Sequence, residues 1–77
     1  MNKERRQKID KIIEKLEDIA AELEALADEE RDAFDNLPEA IQYSERGEAM
    51  EAAADDLEEV SGEVTDLSER LEEIINP

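Results

Sequence analysis

Carboxylates are the residues best equipped for chemistry in this chain: 25 Asp and Glu stand among 77 residues, beside 9 Lys and Arg and with neither His nor Cys. Clusters such as Glu14, Glu17 and Asp18, or Glu58 and Glu59, carry the groups that bind cations or act as paired acids in glycoside hydrolysis. Their setting argues against both. Di-iron bundles need inward-facing Glu with Glu-x-x-His pairs, and without His that ligand set cannot be completed. No Asp-x-Asp-x-Asp-Gly loop for calcium is present. Raising a carboxyl pKa for acid catalysis takes an enclosed pocket, which so short a helical chain does not predict. Lacking Cys and His, the chain has no disulfide framework, no thiolate or imidazole zinc site and no acid/base group poised at neutral pH. The expectation is a non-enzymatic protein with no catalytic residue, no metal and no cofactor.

Charge is the next candidate. The net charge is -16, and chains so acidic usually stay disordered. It is unevenly spread. Residues 1 to 15 sum to +3, through Lys3, Arg5, Arg6, Lys8, Lys11 and Lys15 against Glu4, Asp10 and Glu14, whereas residues 16 to 77 sum to -19. The basic turn has no aromatic residue beside it and the net field repels phosphate, so direct nucleic-acid binding is not expected. An acidic rod can instead imitate a nucleic-acid duplex, which carries about one negative charge per 1.7 Å. The sequence thus points to a basic surface of a protein partner, with imitation of nucleic acid as its sharpest form. The alternative is a structural or assembly module whose helices join a larger bundle.

Helices must place these charges. From Lys3 to Phe34, taking Ile9 as position a, apolar residues occupy a, d and e of a heptad: Ile9, Leu16 and Leu23 at a, Ile12, Ile19, Leu26 and Ala33 at d, and Ile13, Ala20, Ala27 and Phe34 at e. No Gly or Pro interrupts the segment, which predicts one helix over about 3–35. The pattern returns with Met50, Leu57, Val64 and Leu71 at a and Ala53, Val60, Leu67 and Ile74 at d, predicting a second helix over about 45–75. Gly62 falls at an outward f position. Between them lies a corner, 36–44, where Pro38 stops the first helix and Ser44 caps the second. The expected fold is all-α: a single antiparallel two-helix hairpin, coiled-coil-like, dimerising into a four-helix bundle.

Pairing a with d across the hairpin sets Ile12 by Leu71, Leu16 by Leu67 and Ile19 by Val64, and fixes both flanks. On one flank Ile13, Ala20, Ala27 and Phe34 lie beside Ser68, Ser61, Ala54 and Gly47. That small, apolar stripe is expected to stay open and to form a homodimer interface, its small residues allowing close backbone approach. On the other flank Glu22 meets Glu63 and Glu29 meets Asp56. Like charges facing across a helix pair cost stability, so this acidic ridge is the expected partner-binding surface. The basic N-terminal turn is expected to lie against Glu69, Glu72 and Glu73.

The corner adds Glu39, Gln42, Glu45 and Arg46 to the partner-binding candidates. For Arg46 a salt bridge to Asp35 or Glu39 is the competing structural role, and Tyr43 is expected to cover the end of the bundle. With its Asn36-x-Pro38-Glu39 turn, the Ser44-Glu45-Arg46-Gly47-Glu48 element, a Glu/Lys-rich first helix and a Glu/Leu-rich second one, the chain resembles a family of short, acidic, uncharacterised helical-hairpin proteins of phages and prophage-bearing bacteria. The resemblance brings no activity of its own; it implies a phage or prophage setting, where a small acidic protein that blocks a host defence or DNA-handling protein is one expectation. Apolar runs of only two to four residues predict no membrane partner and a place in the cytoplasm, that of the host if phage-encoded.

Overall fold

The structure, a computed structural model, describes Met1–Pro77 and contains three helices and no strand: α1, Lys3–Asp35; α2, Glu39–Gln42; and α3, Glu45–Ile75. The fold is all-α. Local chemistry sets each boundary. Asn2 opens α1, its side chain accepting from the Arg5 N–H at 2.8 Å, which satisfies one of the otherwise unpaired donors of the first turn. Pro38 lacks the N–H that would continue the helix, so α1 closes on Asn36, whose N–H donates to Asp32 O. The same Pro38 then starts the single turn of α2, accepting from Ile41 N and Gln42 N. Ser44 caps α3 by accepting from Gly47 N, and its own hydroxyl donates to Ile41 O.

The long helices pack against each other. Contact positions descend in α3 as they ascend in α1: Ser61 meets Ala20, and Asp55 and Glu58 meet Arg31, so the two run in opposite directions. The result is a rod of 59 × 15 × 12 Å. Gly47 is what lets the corner close. A Cβ there would lie 2.1 Å from the Gln42 carbonyl oxygen and 2.6 Å from that of Ile41, so only glycine fits under the backbone of the corner. At Gly62 a Cβ would meet nothing within 4 Å, in keeping with its outward position.

The seam differs from the a/d pairing expected from sequence. The residues buried between the helices are the e row: Ile13, Ala20 and Ala27 on α1, and Gly47, Ala54, Ser61, Ser68 and Ile75 on α3. Row a is half-buried beside it, and the large d residues lie outside. Small side chains every seventh residue explain the rotation. Facing Ala, Ser and Gly let two backbones approach more closely than facing Leu and Ile, which increases dispersion contact along the line of approach. Ala27 and Ala54 lose all solvent exposure there, and Ser61 Oγ reaches across to donate to Ala20 O at 2.7 Å.

Candidate functional site

The seam decides where every candidate residue points. Successive residues turn by about 100°, so with row e facing the partner helix, row d lies about 100° away and row g about 160° away. Ile13, Ala20, Ala27, Gly47, Ala54, Ser61 and Ser68, expected as an open dimer interface, are buried within the chain, and Phe34 is half-buried. They are not available to a second copy. The expected neighbours Ala20 and Ser61 do meet, but at the centre of the helix pair rather than on its flank. The six large d residues Ile12, Ile19, Leu26, Val60, Leu67 and Ile74 are instead 43–53% exposed. They form the apolar stripe that the rod leaves uncovered, and toward the chain ends it deepens into an open groove lined by Leu16, Leu67, Leu71 and Ile74 beside Arg70.

The acidic ridge changes in the same way. Glu22, Glu29, Asp56 and Glu63 are all exposed, and the rotation turns them away from the opposite helix, so Glu22 does not face Glu63 across the pair, nor Glu29 Asp56. Row b takes over the flank of the seam. There Arg31, which the sequence reading passed over, donates to Asp55 at 3.1 Å and also to Glu58. The hydrogen bond to Asp55, then that to Glu58, holds its guanidinium above the ordinary arginine value, so it is charged at every accessible pH. A lone cation among row-b acids was the signal available for it.

Around the corner, Gln42 is a structural residue. Its side-chain N–H donates to Phe34 O at 3.1 Å and to Asp35 O at 3.4 Å, closing the carbonyl end of α1. Glu39, Glu45 and Arg46 are exposed. Arg46 makes no salt bridge to Asp35 or Glu39, and Tyr43 is 78% exposed. The basic N-terminal turn makes no ion pair with Glu69, Glu72 or Glu73 either; its single salt bridge is Lys8 to Glu4 on the same helix.

Of the 25 acids, 24 are exposed and Glu30 is half-buried; Glu4, Asp55 and Glu58 are the only three in salt bridges. No group of three or more acids is gathered closely enough to hold a metal ion, and no helix is long and apolar enough to cross a membrane. What the surface offers is a strong negative field along a rigid rod and one uncovered apolar stripe. Comparison of the chain with protein-family models, with curated proteins and with solved structures finds no match.

Proposed function

We propose that this chain is a non-enzymatic acidic interaction protein that binds a basic surface of a protein partner, imitating the charge of a nucleic-acid strand. The observation that carries the reading is the set of 22 acids outside any salt bridge, displayed along a 59 Å rod. Net charge divided by length gives about one negative charge per 3.7 Å, close to the roughly 3.4 Å of one nucleic-acid strand. A partner evolved to grip phosphates is the matching surface, and the phage or prophage resemblance makes a host DNA-handling or defence protein the natural class. Exposed Glu39, Glu45 and Arg46 at the corner, together with Tyr43, give such a partner one end to orient on.

The test is capture of the partner from host lysate on the immobilised chain, repeated with rising salt and with added duplex DNA. Capture that DNA displaces and that falls steeply with salt supports the reading. Glu59→Gln with Asp66→Asn, both on the outward row c of α3, should weaken it at least tenfold while leaving the buried e-row seam untouched. Capture indifferent to DNA, salt and these substitutions would refute it. The uncovered d row favours a second reading, an assembly module completed by further helices into a four-helix bundle.

A further inference from the structure

The uncovered stripe has a graded rim. Row g lies about 60° from row d on each helix. On α1 the rim reads Lys8, Lys15, Glu22, Glu29, and on α3 it reads Asp56, Glu63, Arg70. Because Ala20 is level with Ser61, the three cations fall together at the end holding both chain termini, while the four acids fall toward the corner. Lys15 and Arg70 have no salt bridge within the chain. The stripe is therefore apolar along its centre, positive at one end and negative at the other.

We propose that a second copy of this chain covers the stripe with its corner at the opposite end, stacking α1 on α1 and α3 on α3, each antiparallel. Setting Ile19 against the partner's Ile19 brings Ile12 onto the partner's Leu26. In that register Lys15 comes within one residue of the level of the partner's Glu22, and Lys8 within one residue of the partner's Glu29. On α3, Leu67 falls on the partner's Val60, and Arg70 within one residue of the partner's Asp56. Glu63 meets its own copy, the one like-charged contact. The two-fold axes implied separately by the apolar and the charged rows of the two helices agree to about two residues, roughly 3 Å along the rod. Apolar spacing and charge spacing are independent features, so their agreement identifies the occupant as another copy.

The reverse arrangement, with both corners at one end, sets Lys8 and Lys15 against the partner's Arg70 and sets Glu22 and Glu29 against the partner's Asp56. Like charges would then face each other at both ends of the stripe, which disfavours that alternative. Half-buried row a, between rows e and d, points to the axis of the resulting bundle and loses its remaining exposure. Two copies share nearly the same length, so the net charge density rises to about one per 1.8 Å, near the roughly 1.7 Å of a duplex. The arrangement deepens the assembly reading and does not depend on what the acidic faces bind.

Cysteine trapping distinguishes the outcomes, since the chain has no cysteine of its own. Under mild oxidation at moderate salt, Ile19→Cys should form a disulfide-linked pair of 8.8 kDa chains at least tenfold faster than Ile12→Cys alone. Mixing Ile12→Cys with Leu26→Cys chains should restore the fast rate. Circular dichroism of each variant checks that the helices are retained, and the positions are half-exposed enough to accept the change. Fast linkage of Ile19→Cys to Val60→Cys, with none between Ile19→Cys chains, would overturn the orientation while leaving assembly intact. Uniformly slow linkage, with an unmodified chain sedimenting as a monomer at high micromolar concentration, would overturn the second copy itself and leave the basic-partner reading to its own test.

Discussion

Replacing Gly47 with Ala should destabilise this protein, although the same change in an unconstrained helix stabilises it. Gly47 lies in the first turn of α3, where helix propensity alone favours Ala by about 1 kcal/mol. The added Cβ, however, would sit 2.1 Å from Gln42 O, 2.6 Å from Gln42 C and 2.6 Å from Ile41 O. All three are backbone atoms, so relief requires moving the corner by about 1 Å rather than turning a side chain, with an overpacking cost of about 1–3 kcal/mol. The corner cannot move freely, because Ile41 O accepts from Ser44 N and from Ser44 Oγ, and Ser44 is the cap of α3. Loosening that cap costs about 1 kcal/mol more. The expected net loss is about 1–3 kcal/mol, a fall in Tm of roughly 5–20 °C for a chain of this size. Urea and thermal unfolding followed by circular dichroism at fixed protein concentration measure it, with Gly62→Ala as the internal control. Gly62 has open space around it, and its substitution should stabilise by about 1 kcal/mol. Equal stabilisation by the two changes would refute the close approach of corner and helix.

Three further outcomes follow from the same geometry. Ser61→Ala removes the hydroxyl that donates to Ala20 O in the seam and should cost no more than about 1 kcal/mol, whereas Ser61→Leu should cost several times as much in the same urea titration by forcing the backbones apart. Arg31→Ala should cost less than about 1 kcal/mol, and adding salt to 1 M should erase the difference from the unmodified chain, because Arg31, Asp55 and Glu58 are all substantially exposed. Self-association followed by sedimentation should strengthen with salt, since each copy carries -16, while capture of a basic partner weakens; the same sign for both would contradict the separation of apolar and acidic surfaces.

The helices were legible in the sequence because their signals are local. Pro38 ends α1 through its missing N–H, Ser44 caps α3 through its hydroxyl, and unbroken heptads between them leave no alternative to long helices. Direction was legible as well, since a short corner between helices of 33 and 31 residues brings Ser61 back to Ala20. The rotation of the seam was misread for a physical reason. Rows a, d and e together are wider than one helix contact can cover, and side-chain size favours d by apolar area but e by closeness of approach. The Ala, Ser and Gly of row e were recognised as residues that admit a close neighbour, yet that neighbour was taken to be another chain. Once row e is inside, Glu22 and Glu63 leave the flank, the large d residues become the open face, and Arg31 gains its partners. Gln42 was misassigned for a related reason, because a polar residue at a corner reads as surface until the carbonyls of Phe34 and Asp35 are found within its reach.

The division of labour between adjacent rows can be tested at two neighbouring residues. Ile19 belongs to the open d row and Ala20 to the buried e row. Sedimentation mass and far-ultraviolet circular dichroism, recorded together on Ile19→Asp and Ala20→Asp at low temperature, read both rows at once. A charge at Ile19 should leave the helical signal in place and reduce the mass to that of a single 8.8 kDa chain. A charge at Ala20, in a seam with no room and no partner for it, should abolish the helical signal. A folded monomer from Ala20→Asp, beside an unaltered dimer from Ile19→Asp, would contradict the account.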